Sequence, residues 1–252
     1  MALDAAGWAG LTYKVLKMAP DMMLVFIAFG FTWLFYTRDR VGISDSDRLN
    51  NPERTAWYAA RGHWLKPAMW VVSGLLLICL CLRSAIVFPA MIGIVPCLLY
   101  TRKLRFWNRT FTLKSLPGMK AVLVAFLWVV LTVAFPVATL KIPMSASIVH
   151  LCLMVGCFVM LQINTNDLRD IAGDANEGVK SFAVLLGDRK ARFLGAVLGI
   201  LGIFFGWALF DHWALSGFGI FLIARTFLYN RNHDIYWQAL ISLQGFIAYF
   251  VL

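Results

Sequence analysis

The chain has 252 residues, 61% of them hydrophobic and only 14% charged, with a formal net charge of +10. A mean hydropathy of +0.75 excludes an ordinary water-soluble domain of this length. The basic residues are scattered between apolar runs rather than gathered on one face, which argues against a nucleic-acid partner.

Along the chain, residues 3–18 come first. They are apolar but carry Lys14 and Lys17, and they lack the basic start and apolar centre of a signal peptide. They form either a ninth, abbreviated membrane helix or none. Eight firmer segments follow: 21–35, 65–82, 84–100, 119–137, 144–163, 191–210, 213–224 and 235–252. An apolar helix of about 17–25 residues crosses a bilayer; the first and seventh segments are short and require tilt or extension. The runs are apolar throughout, without the alternation of a spanning barrel. The expected fold is all-α: a polytopic, multi-pass membrane helical bundle of eight to nine transmembrane helices, integral to the lipid bilayer, in a single domain, 1–252.

Folding the eight segments alternately places every Lys and Arg except Lys14, Lys17, Arg83 and Lys141 on one side. Positively charged loops stay in the cytoplasm, so that side is expected to be cytoplasmic. The net charge is then mostly a matter of topology. The five cysteines lie within apolar segments and lack metal-site spacing.

The acidic residues carry more information. Most of the thirteen fall in two short stretches on the expected cytoplasmic side: Asp39, Asp45, Asp47 and Glu53, then Asp167, Asp170, Asp174 and Glu177. Topology does not explain this, because the positive-inside rule is silent on acids. Rows on a helix run at three- and four-residue steps, so Asp167, Asp170 and Asp174 are expected on one face at the end of the fifth segment. Like charges gathered this way need a counter-ion. Mg²⁺ is the natural one, since it takes one or two carboxylates and grips substrate phosphates. Nearby Lys and Arg would neutralise the rest of a metal-bound polyanion. A transport protein would instead need ionisable groups in mid-membrane, where His150 is the main candidate.

The stretch Asn166-Asp167-Leu168-Arg169-Asp170-Ile171-Ala172-Gly173-Asp174, with Gly178-x-Lys180 and Leu185-Leu186-Gly187 beyond it, closely resembles the second aspartate-rich motif of the UbiA superfamily of intramembrane prenyltransferases. Residues 39–54, ending Asn50-Asn51-Pro52-Glu53-Arg54, look like the first motif region. Residues 100–120 resemble the basic loop between the two. The resemblance implies about nine helices around a central cavity, and an enzyme that uses Mg²⁺ to ionise an isoprenoid diphosphate. The prenyl group then passes to an acceptor, aromatic in most of the family. It implies Asp39, Asp47, Asp170 and Asp174 as catalytic residues. Asp39, Asp47, Asp167, Asp170, Asp174 and Asn166 would hold metal, and Lys103, Lys114, Lys120, Lys180 and Arg54 would contact the diphosphate.

The first motif departs from the family pattern Asn-Asp-x-x-Asp-x-x-x-Asp. With Asp47 as its last acid, Asp39 replaces the Asn, Arg40 the first Asp and Ile43 the middle one. Asp45 then either swings in through a helix break near Gly42 or stays a loop acid. Two other readings stand beside prenyl transfer: a UbiA-type terpene cyclase that closes the isoprenoid on itself, and a non-enzymatic membrane protein or transporter that keeps the fold.

Overall fold

The structure, a computed structural model, describes residues 1–42, 52–100, 104–106, 109–113, 116–229, 240 and 243–252. Among these, nine α-helices form: α1 (Ala2–Val15), α2 (Met22–Val41), α3 (Pro52–Leu82), α4 (Val87–Tyr100), α5 (Met119–Thr139), α6 (Ala146–Asn176), α7 (Phe182–Gly206, interrupted at Gly187), α8 (His212–Leu228) and α9 (Gln244–Val251). The starts are chemically marked. Asp21 accepts from Met23 N, Ser145 from Ile148 N, Ser181 from Val184 N, and Asp211 from Trp213 N and Ala214 N. Each satisfies amide groups that have no partner within the helix.

Every apolar segment read from the sequence carries a helix, and α3, α5 and α6 are each long and apolar enough to cross a membrane. Of residues 3–18, those as far as Val15 are helical as well. At about 21 Å, α1 is shorter than the hydrocarbon layer, and its residues from Asp4 to Tyr13 are nearly all buried against its neighbours. Two helices extend further than hydropathy suggests. Helix α3 begins at Pro52, well before the apolar stretch, and α6 continues through the acidic motif to Asn176. The segment between α4 and α5 contains a small antiparallel hairpin, Leu104–Phe106 with Arg109–Phe111, in register Leu104↔Phe111.

Neighbouring helices follow one another in the order α3, α2, α1, α9, α8, α7, α6, α5, α4. The α6–α7 contact is the most extensive, and glycines make it close. A Cβ on Gly202 would strike the Phe158 ring, and one on Gly206 would meet the Met154 sulfur. Small residues let membrane helices approach where lipid gives no hydrophobic drive. The main core is centred on Trp8, Phe158 and Phe218; Trp8 stacks on Phe158, and Phe158 meets Phe218 edge-on.

Helix α5 widens into a π turn at Val130–Ala134. Pro136 has no N–H to donate to the Thr132 carbonyl. Thr12 Oγ1 donates to it instead at 2.8 Å, which fastens α1 to the turn. Such turns push side chains out of the regular helical rows. Here Val130 and Leu131 face a cavity between α2, α3, α4 and α5.

Candidate active site

Two loops bring the site together. Helix α6 stops at Gly178, whose φ of 69° is left-handed, a common way to end a helix; Val179 N then donates to Asp174 O at 2.8 Å. Gly118, with φ 67°, precedes α5 and donates its N–H to the Lys180 carbonyl at 2.8 Å. A side chain at Gly118 would run into the Phe182 ring. This close approach sets the first turn of α5 beside the last turns of α6.

Lys120 stands in that first turn. Its Nζ lies 2.8 Å from Asp167 Oδ1 and donates to Asp174 at 2.8 and 3.0 Å. A cation at a helix N-terminus opposes the helix dipole, so the carboxylates compensate for its position. Asp167 and Asp174 are two turns apart on α6 and face the same way. Asp170 lies to one side, where Arg169 Nε and Nη2 hold its two oxygens at 2.7 and 2.8 Å. The structure thus brings Asp167 and Asp174 together on Lys120, while Asp170 forms a separate pair with its neighbour. Arg40, in the last turn of α2, is close enough to Asp170 to act on it electrostatically.

The other expected site residues are placed as follows. Asn166 is partly buried, one residue before Asp167. Asp39 belongs to the last turn of α2. Arg54 is partly buried in the first turn of α3, and Lys180 is exposed next to the α5 start. Asp45, Asp47, Lys103 and Lys114 lie outside the described residues.

Among the described residues no three His, Cys, Asp or Glu side chains converge into a metal cage. A Mg²⁺ ion that shares its shell with substrate phosphates and water needs only one or two carboxylates. Asp167 and Asp174 fit that requirement. They already flank a cation, they outnumber its charge, and Asp167 Oδ2 is buried with no hydrogen-bond partner.

A polar network below this group was not evident from the sequence. Asn164 donates to Ala191 O at 2.7 Å, and Thr165 and Thr226 share a hydrogen bond of 2.9 Å. Gln162 donates to Asp4, which also accepts from Gly245 N. Arg225 donates to Gln244, and Gln244 to Phe158 O. Arg225 would be counted among loop charges by its position, yet it is 1% exposed. Together these bonds tie α6 to α1, α7, α8 and α9, so the motif-bearing end of α6 rests on a fixed base.

The cavity, about 460 Å³, begins one turn further along α5 at Val124. Its wall is aromatic and apolar: Phe31, Phe35 and Tyr36 from α2, Trp128 and Phe135 from α5. Arg38, Phe35 and Ser73 on its rim are exposed. Lys120 thus stands one helical turn before the first α5 residue of this wall, and neither it nor Asp167 or Asp174 lines the chamber itself.

A model of the UbiA prenyltransferase family matches residues 68–240. The chain is 26% identical over 199 residues to the digeranylgeranylglyceryl phosphate synthase of Thermococcus gammatolerans, covering 75% of this chain and 67% of that protein. Among solved structures, a UbiA homolog from Archaeoglobus fulgidus bound to DMAPP and Mg²⁺ aligns with a TM-score of 0.57 and 15% identity, covering 100% of this chain and 96% of that one. That likeness is one of fold: a helical membrane bundle. The chain belongs to the UbiA prenyltransferase family.

Proposed function

We propose that this integral membrane protein is a Mg²⁺-dependent enzyme that ionises an isoprenoid diphosphate and transfers the prenyl group to an acceptor, aromatic as in most of its family. The observation that carries the reading is Lys120 between Asp167 and Asp174, one helical turn from the Val124 wall of an aromatic-lined cavity. The solved relative with DMAPP and Mg²⁺ bound supports the choice of substrate and metal. The Lys and Arg excess in the connecting segments supports a cytoplasmic position for the aspartates.

Mg²⁺ held by Asp167, Asp174 and the neighbouring Asp170 would neutralise negative charge on the diphosphate. Lys120, Lys180 and Arg38 add fixed positive charge at the same end, with Lys103, Lys114 and Arg54 as further contacts. Asp39 and Asp47 would face these groups from the first motif. As the allylic C–O bond breaks, its electron pair leaves on the diphosphate oxygen, where those cations stabilise it. The faces of Phe31, Tyr36 and Trp128 can stabilise the allylic cation left behind. The apolar wall keeps water away from that cation until the acceptor forms the new bond and loses its proton.

The test is to incubate purified protein with Mg²⁺ and a series of prenyl diphosphates, with and without aromatic or polar-lipid acceptors. An adduct that requires acceptor is expected. Acceptor-free hydrocarbon or alcohol would show a cyclase instead. No diphosphate release from any substrate would refute an enzymatic role.

A further inference from the structure

The cavity wall runs along α5 from Val124 to Phe135. At its head are Val124, one turn from Lys120, and the exposed Arg38. At its far end lie Phe31, Ala90 and Phe135; Ala90 and Phe135 are 7% and 4% exposed. The stretch of α5 from Val124 to Phe135 spans about 16 Å at the rise of a helix. On the α4 side the wall is small. Ala90 and Gly93 share one face of that helix, and a Cβ at Gly93 would sit 3.5 Å from Leu127 and Val130. The π turn sets Val130 and Leu131 against this face, so the width of the lower cavity depends on these small residues.

We propose that this cavity is a ruler for a linear isoprenoid of fifteen carbons, with Ala90 and Phe135 as the residues that set its length. The proposal rests on the prenyl-diphosphate reading given above. The depth of the wall sets the length. Each isoprene unit adds four chain bonds, about 5 Å when extended, so three units match the ~16 Å depth. A ten-carbon tail leaves the Phe135 end unfilled and gives up apolar contact. A twenty-carbon tail overruns Phe135. The charge distribution supplies the direction: among the described lining residues the one cation is Arg38, at the end where Lys120 stands one turn before Val124, so the diphosphate lies there and the tail points to Phe135.

The experiment measures thermal stabilisation and dissociation constants for the ten-, fifteen- and twenty-carbon linear diphosphates with Mg²⁺, using the full chain in detergent or nanodiscs. The fifteen-carbon compound is expected to bind at least tenfold tighter than the ten-carbon one, and no weaker than the twenty-carbon one. Ala90→Phe fills the far end and should move the optimum to ten carbons. Phe135→Ala opens it and should move the optimum to twenty. If all three lengths bind but neither variant changes their order, or the twenty-carbon compound binds best to the unaltered protein, the ruler is wrong while the substrate class stands. If no prenyl diphosphate binds at all, the prenyl-diphosphate reading fails, and the ruler with it.

Discussion

Replacing Lys120 by Met keeps the length of the side chain and removes its charge. In the intact protein one ammonium serves two carboxylates, at 2.8 Å from Asp167 and 2.8 Å from Asp174, whose side chains are 1% and 11% exposed. Removing one partner of a buried ion pair costs about 3–5 kcal/mol, because the remaining charge is left uncompensated. Lys120 itself is 26% exposed, and water reaching the gap lowers the penalty to about 3 kcal/mol. For a chain of this size that corresponds to a fall in unfolding midpoint of roughly 6–12 °C. The fall should appear in chelator. In millimolar Mg²⁺ it should largely disappear, because two converging carboxylates without their lysine form a stronger divalent site. Thermal unfolding of both proteins with EDTA and with Mg²⁺ measures this directly, without any substrate. An equal loss with and without Mg²⁺ would refute the metal assignment. No loss in EDTA would refute the ion-pair geometry itself.

Three further outcomes are expected. Asp170→Asn should abolish product formation while lowering stability by only about 1–3 kcal/mol, the cost of weakening one charge-assisted pair with Arg169; unchanged turnover would remove Asp170 from the catalytic set. In the altered first motif, Asp39→Ala and Asp47→Ala should each cut activity sharply and raise the Mg²⁺ concentration needed for half-maximal rate, with Asp45→Ala mild; the reverse order would show that the motif is read in the wrong register. Thr12→Val leaves the Thr132 carbonyl without its side-chain donor and should cost about 1–2 kcal/mol in thermal unfolding, with little change in Mg²⁺ affinity; a near-neutral result would mean that water or backbone takes over the bond.

The helical membrane class and the order of the helices were legible in the amino-acid sequence alone. In lipid every backbone amide must be satisfied within its own segment, so a long apolar run has few structures open to it. The acidic motif was marked there too, because Asp167 and Asp174 fall on one helical face wherever the helix ends. Tertiary structure decided what each of these residues meets. Asp170, expected on the shared face, turns to Arg169. Lys120, one of several loop cations by sequence, becomes the counter-ion of both other aspartates, through a close approach that Gly118 permits. Arg225 and Asp4 enter the interior because neighbouring helices supply Gln244, Gln162 and the Gly245 amide. Hydropathy cannot foresee such partners, since it weighs each residue alone. The cavity, too, arises only between helices, where the π turn of α5 meets the small face of α4. Periodicity gives the direction of a side chain relative to its own axis; which helix faces it, and whether the space between them is filled, depends on packing between segments far apart in the chain.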